Sequence, residues 1–371
     1  MSSIFSSVKI GNYEIKNRIA MAPMTRTRSP FGIPTEQNAL YYKQRASVGL
    51  IISEGTAISP TSMGYLHIPG IYNAAQIKAW KKVTQAVHES NGIIFMQLWH
   101  VGRISHYSNQ PNQQQPLAPS AIIARDSYPW GIENGKEGRV AAVAPRALEK
   151  EEIQDIIRDF ANGAKNAIAA GFDGVEIHGA NGYLLEQFLN PCSNIRTDEY
   201  GGSIENRCRI VIEILEACIA AVGSHKVGIR LSPYGFIHDM QPYEELEDTY
   251  EYLAKAMNKM DLAYVHFNSS GILLKEKEDF IIRFRAWYDG ALMIAGELTR
   301  EKAQKLLDKG LIDMAAFGRP LISNPDLVDR LKNNLRLTPP NPETFYGTGT
   351  IGYTDYKTYA EMDAMERAKF L

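Results

Sequence analysis

Short runs in which almost every residue is apolar alternate, along this chain, with longer segments whose apolar residues return at steps of three and four. The first pattern predicts buried strands and the second amphipathic helices laid against them. Strands are expected over 18–23, 49–54, 93–98, 174–178, 226–231, 263–267, 291–295 and 313–317. Helices are expected over 36–47, 75–90, 149–170, 204–221, 244–260 and 299–308, with Ile77, Trp80, Val83 and Val87 as the apolar stripe of the second. Eight strands, mostly alternating with helices, predict a closed (β/α)8 TIM barrel of the α/β class. A doubly wound open sheet is the competing architecture, and no G-x-G-x-x-G follows the first strand to support it.

Two stretches depart from the rhythm. Val8, Ile10, Tyr13 and Ile15 alternate about Gly11-Asn12, which predicts an N-terminal hairpin suited to plugging one end of a barrel. After the third strand, residues 102–146 are rich in Gln, Asn and Pro, with one more hairpin expected near Gly131 to Gly138. An insertion of that length is expected to form a lid or substrate wall. With no repeat, low-complexity block or linker to divide the chain, residues 1–371 are expected to fold as one domain.

Composition narrows the function without naming it. Charged residues are 22% of the chain and the formal net charge is −2, so neither nucleic acid nor a membrane surface is an expected partner. No run approaches the ~20 apolar residues of a membrane span, and the N-terminus lacks a signal-peptide pattern. Cys192, Cys208 and Cys218 have neither disulfide-framework nor zinc-site spacing, which points to a reducing, cytoplasmic setting.

Chemistry in such barrels sits at the carboxyl ends of the strands. There the sequence places Thr25, Gly55-Thr56-Ala57, Gln97, His178 with Asn181 and Tyr183, Arg230, Asn268, Gly296 and Gly318-Arg319. Donors and cations dominate. The carboxylates expected there, Glu54 and Glu297, belong to separate loops, and no histidine cluster has metal-ligand spacing, so a metal-dependent hydrolase and a paired-carboxylate glycosidase are both disfavoured. In His178-Gly179-Ala180-Asn181-Gly182-Tyr183, two donors and a phenol follow one strand through a turn; taken alone, the same residues read as a buried structural histidine before an Asn-Gly turn. Gly318-Arg319 falls where barrels hold phosphate, and alone it is also a helix-entry turn with a surface arginine. Arg230 ends a buried strand and needs an electron-rich partner.

Longer motifs carry a resemblance. Lys16-Asn17-Arg18-Ile19-Ala20-Met21-Ala22-Pro23-Met24-Thr25-Arg26, Gln97-Leu98-Trp99 with Gly102-Arg103, the His178 to Leu185 run, Arg196-Thr197-Asp198-Glu199-Tyr200-Gly201-Gly202, Gly228-Ile229-Arg230-Leu231-Ser232-Pro233, Phe317-Gly318-Arg319-Pro320 and Phe345-Tyr346-Gly347 stand in order over nearly the whole chain. The sequence resembles the Old Yellow Enzyme family of FMN-dependent ene-reductases. That resemblance implies tightly bound FMN, with Thr25 at the flavin carbonyl beside the reactive nitrogen and Gln97 and Arg230 on the pyrimidine side. It also implies Pro23, Met24 and Ala57 as ring contacts, and Ala295, Gly296, Gly318 and Arg319 around the phosphate side of the cofactor.

It further implies that NADPH or NADH reduces the flavin, after which an α,β-unsaturated carbonyl compound is reduced at the same site by ping-pong kinetics. His178 and Asn181 would hold the substrate carbonyl, Tyr183 would supply the proton, and Tyr65, Trp99 and Tyr346 would line the pocket. The insertion and the loops after the second and sixth strands would set substrate shape, and the enzyme would be a monomer or weak homodimer. Asn181 stands where many members have a second histidine, and Glu297 would sit beside the phosphate, where a carboxylate repels unless it turns away. A flavin dehydrogenase or demethylase on the same barrel, and a flavin-free barrel isomerase or binding protein, are the alternatives.

Overall fold

The computed structural model describes residues 3–269, 274–363 and 365–366. Eight parallel strands form its centre: β1 (Ile19–Met21), β2 (Leu50–Ile52), β3 (Ile94–Trp99), β4 (Gly174–Gly179), β5 (Val227–Leu231), β6 (Tyr264–Asn268), β7 (Leu292–Ala295) and β8 (Met314–Phe317). Each pairs with the next, and β8 pairs back onto β1, so the sheet closes into the expected barrel.

Period-two alternation decides what each strand presents. Ile19, Ile51, Val175, Ile177, Ile229, Val265, Ile294 and Phe317 face outward into the core beneath the helices. Inside the lower barrel, Ala20, Leu50, Ile52, Phe95, Tyr264, Met293 and Met314 pack with Ile10 and Ile15 of the N-terminal hairpin, Val8–Ile10 and Tyr13–Ile15. The hairpin is therefore the plug that the alternation predicts. Its Gly11 has φ +55, and a Cβ there would lie 2.2 Å from the His225 carbonyl oxygen, so the turn has no room for a side chain.

Helices α1 (Glu36–Gln44), α2 (Ala74–His88), α3 (Lys150–Ala169), α4 (Ile204–Val222), α5 (Leu246–Met257), α6 (Leu274–Trp287) and α7 (Arg300–Asp308) surround the sheet. In α3, Ile153, Ile156, Phe160, Ala164 and Ala167 form one buried stripe, each large side chain contributing roughly 1.5–3 kcal/mol of burial. The starts fall at caps: the side chains of Asn73, Ser203 and Thr299 accept from the backbone N–H of Gln76, Asn206 and Lys302. Helix α6 is absent from the sequence expectation. Its apolar stripe begins only at Phe280, after the charged run Lys275 to Asp279, so the period has too few turns to show.

The insertion carries a parallel pair, Leu117–Ala118 with Arg146–Ala147, and the expected hairpin, Trp130–Glu133 with Lys136–Arg139, in which Gly131 faces Gly138. Trp130 bridges to Tyr65, and Leu66 N–H donates to the Trp130 carbonyl at 2.9 Å, so the hairpin lies on the loop after β2. That loop begins with a two-residue strand, Thr56–Ala57, paired with the end of β3. A C-terminal segment crosses the same end: Arg26 donates to the Thr344 and Gly352 carbonyls, Arg28 to those of Gly349 and Ile351, and Tyr353 stacks on Tyr41 at 4.1 Å.

Candidate active site

Residues opposite one another in register share a face, so Gln97, Glu176, His178, Arg230, His266 and Asn268 of β3–β6 all point into the carboxyl end of the barrel. Glu176 is fully buried; Gln97 Nε2 donates to one of its oxygens at 2.8 Å, and His266 Nδ1 lies 2.8 Å from the other. One amide N–H of Gln97 is thus committed, leaving its oxygen and second N–H for a ligand.

The Ala180 N–H donates to His178 Nδ1 at 3.3 Å, which leaves the proton of the neutral ring on Nε2. Burial first, and then the nearby Arg230 guanidinium, hold the imidazole well below its usual pKa, so His178 is a neutral donor. Asn181 sits at φ +60, and its Oδ1 accepts from Asn268 Nδ2 at 2.6 Å. That bond fixes the orientation of its amide and leaves Nδ2 as the free donor. The turn therefore presents two N–H donors without a charge.

Tyr183 follows on the same turn and is buried. Its ring packs edge-on to Trp99 at 4.8 Å and His178 at 5.1 Å, and its hydroxyl lies 3.2 Å from that of Tyr65. Burial pushes the phenol well above its usual pKa, so it keeps its proton. Trp99 stacks on Tyr65 at 5.6 Å, with its indole N–H buried and unpartnered. A Cβ at Gly55 would come within 2.4 Å of the indole, so this backbone approach requires glycine.

Arg230 is the electrostatic anomaly. It is buried, its Nε has no hydrogen-bond partner, and the described residues give it no ion pair. Burial lowers its pKa against the opposing field of Glu176. A cation left this way is costly unless an anionic or electron-rich ligand completes the site.

The remaining expected residues divide by position. On the loop after β1, Pro23 is buried, while Met24 and Thr25 are half-buried, with the Thr25 hydroxyl free of protein partners. The Ala57 N–H donates to Pro69 and its carbonyl accepts from Ile71, so its backbone is already engaged. Ala295 O accepts from both the N–H and the hydroxyl of Ser269, each at 2.8 Å. Gly296, at φ +121, ends β7. Gly318 precedes a short helix, Arg319–Ser323, whose Arg319 is exposed and unpartnered. Glu297 is exposed, and Tyr346, 40% exposed, stacks on Trp130 at 6.4 Å at the outer rim. Residues 270–273, which follow β6 in the sequence and fall in the segment expected to help set substrate shape, lie outside the described residues.

One expectation is corrected. Glu54 is not a mouth carboxylate; it is buried beside Asn38 and Tyr42 of α1, where desolvation raises its pKa to about 7. The strand ends at Ile52, and Glu54 lies in the bend that follows it, against α1. Sequence reasoning also missed the Glu176–His266 pair. The signal was present in both strands as polar residues at alternate, inward positions of otherwise apolar runs. Among the described residues, no three or more His, Cys, Asp or Glu side chains are grouped so as to hold a metal ion.

Against known families, residues 3–338 match the model of the NADH:flavin oxidoreductase / NADH oxidase family. The chain belongs to this family. As an NADH:flavin oxidoreductase it is an FMN-dependent enzyme that draws on a reduced nicotinamide, and the unpaired Arg230, the open valences of Gln97 and the free Thr25 hydroxyl fit such a cofactor. Its relatives include 12-oxophytodienoate reductase 1 of Oryza sativa subsp. japonica, 41% identical over 376 aligned positions, covering 99% of this chain and 96% of that protein. 12-oxophytodienoate reductase 7 of the same plant is 40% identical, covering 95% and 94%. Among solved structures, morphinone reductase in complex with tetrahydroNAD superimposes with a TM-score of 0.94 at 43% identity, over 98% of this chain and 99% of the other. The old yellow enzyme homologue from Zymomonas mobilis gives 0.90 at 40%, over 96% and 99%. No helix among the described residues is long and apolar enough to cross a membrane.

Proposed function

We propose that this NADH:flavin oxidoreductase reduces the activated C=C bond of α,β-unsaturated carbonyl compounds at the mouth of the barrel. FMN, when bound, would supply hydride chemistry, with NADPH or NADH as the reductant. The protein's part is to bind, polarise and protonate. Arg230 and Gln97 would hold the pyrimidine side of the cofactor, where the guanidinium would balance negative charge; Pro23, Met24, Thr25 and Ala57 would line the ring; and Ala295, Gly296, Gly318 and Arg319 would surround the phosphate. Exposed Glu297 can turn away from that phosphate into solvent.

The observation that carries this reading is a pair of neutral donors beside a protonated phenol. His178 Nε2–H and Asn181 Nδ2–H donate to the substrate carbonyl oxygen and draw electron density from the alkene, an arrangement worth several kcal/mol of barrier when it is preorganised. Neutral donors suit this role, because a charged imidazolium would also bind ground-state anions. Tyr183 then delivers its proton to the alkene carbon that does not receive hydride. Among the described residues, its hydroxyl has the Tyr65 hydroxyl as its hydrogen-bond partner, from which the proton would be replaced. Tyr65, Trp99 and Tyr346 form aromatic walls, and the 102–146 insertion, docked beside Tyr65, is the substrate wall above them.

A stopped-flow comparison of the two half-reactions tests the assignment. Tyr183→Phe should slow reoxidation of the pre-reduced enzyme by a cyclic enone roughly 10²-fold, the usual scale of a general acid, while flavin reduction by nicotinamide stays within about threefold. Equal losses in both steps would remove the proton-donor role, and a wild-type protein that no enone reoxidises would remove the reaction itself.

A further inference from the structure

The turn that carries the two donors and the acid is an uncomfortable one: Asn181 and Gly182 are consecutive residues at positive φ, 60° and 75°. Left-handed backbone at a non-glycine residue persists only where its surroundings hold it. Both peptide N–H groups of this turn run to one buried cluster. Gly182 N–H donates to Glu186 Oε2 at 2.5 Å, and Asn181 N–H donates to Ser232 Oγ at 2.6 Å. The Ser232 hydroxyl in turn donates to the Glu186 carboxylate at 2.9 Å, and the Tyr250 hydroxyl approaches the same group at 3.5 Å. The chain of acceptors ends at Glu186.

Nothing in the proposed reaction uses this carboxyl. It lies in a short helix, Leu184–Leu189, in which every residue is buried, and no cation forms an ion pair with it among the described residues. An acid at such a position is expensive to bury. Its three hydrogen-bond donors only partly offset burial, which raises its pKa to about 8. An apolar side chain would suit the packing better, and what sets this acid apart from its apolar neighbours is the set of donors it holds.

We propose that Glu186 is a positioning residue for catalysis: by accepting from Gly182 N–H and from Ser232, it locks the Asn181–Gly182 turn and so sets the Asn181 amide and the Tyr183 phenol relative to His178. The inference rests on the reading above, in which Asn181 grips the substrate oxygen. Glu186 touches neither substrate nor cofactor. It acts through backbone geometry, and Gln187 completes the lock from the other side by donating to the Gly182 carbonyl at 2.8 Å.

The test uses the FMN-loaded enzyme and 4-chlorophenol, whose phenolate oxygen mimics an enolate, with the change in flavin absorbance as readout. Glu186→Leu, still carrying stoichiometric FMN, should bind the phenol at least tenfold more weakly, while Glu186→Gln, which keeps an acceptor for Gly182, stays within about threefold of wild type. Ser232→Ala should weaken binding less than Glu186→Leu, and the double variant should be no worse than Glu186→Leu alone, because both act through one lock. Wild-type affinity in Glu186→Leu, or equal loss in the Gln and Leu variants, would overturn the proposal. If Glu186→Leu does not fold, Ser232→Ala decides: unchanged phenol affinity rejects the lock. Failure of wild type itself to bind the phenol rejects the substrate-site reading instead.

Discussion

The barrel interior has two halves of opposite character. On β7, β8, β1 and β2 the inward positions are Met293, Ala295, Met314, Ala316, Ala20, Leu50 and Ile52, a packed apolar wall. On β3 to β6 the corresponding positions toward the mouth are Gln97, Glu176, His178, Arg230, His266 and Asn268. The same alternation builds both halves, and the backbone ladder does not distinguish them. What differs is how completely each is satisfied by the protein alone. The apolar half is a finished core. Among the described residues, the polar half leaves Arg230 Nε and His266 Nε2 buried without partners, a desolvation cost that a ligand would relieve. A site can thus be recognised as the part of a core that a ligand must finish.

The sharpest way to break this contrast is Arg230→Met. Loss of charge-assisted bonds to the flavin should raise the Kd for FMN at least about a hundredfold, since such bonds are each worth roughly 1.5–3 kcal/mol. The apoprotein should melt at a higher temperature than wild type, because an unpaired buried cation has been removed. A variant that both binds FMN normally and melts normally would erase the distinction between the halves. Next in size, Leu50→Ala in the apolar half should cost about 2–5 kcal/mol in denaturant titrations while leaving FMN affinity within about threefold. A large loss of affinity would show that the halves are not separable.

The smallest effect concerns pH. The Glu186 carboxyl has a folded pKa of about 8 against an ordinary value of 4.5, so folding favours its protonated form. Its contribution to stability is fully present below the unfolded value and is lost as pH rises from about 4.5 through about 8, where the folded state holds more protons than the unfolded one. Wild-type stability should therefore fall across that window by an amount on the order of 1–3 kcal/mol more than that of Glu186→Gln. Parallel pH profiles for the two proteins would contradict the assignment.

Much of this contrast was written in strand periodicity. Alternation separates Val175 and Ile177 from Glu176 and His178 without any knowledge of neighbours, and it places Arg230 at a buried strand end. Pairing was not legible: Glu176 and His266 are 90 residues apart and meet only because the closed ring sets β4, β5 and β6 side by side. Glu186 was invisible for another reason. It interrupts an apolar run too short to show a helical face, and its partners, Gly182 and Ser232, join it only once the turn is folded. Glu54 misled because its place at a strand end suggested the mouth, whereas the chain there pairs with α1 through Tyr42. Helix α6 escaped because its first turns are charged in sequence.

The grip of Arg26 and Arg28 on the C-terminal segment has a consequence for biogenesis. Arg26 waits for a carbonyl 326 positions further along the chain, and β1 waits for β8 before the ring can close. A ribosome therefore delivers the polar strands β3 to β6 well before the rim that carries Tyr346. The cylinder stays open on one side until the last of its strands, Met314–Phe317, has emerged.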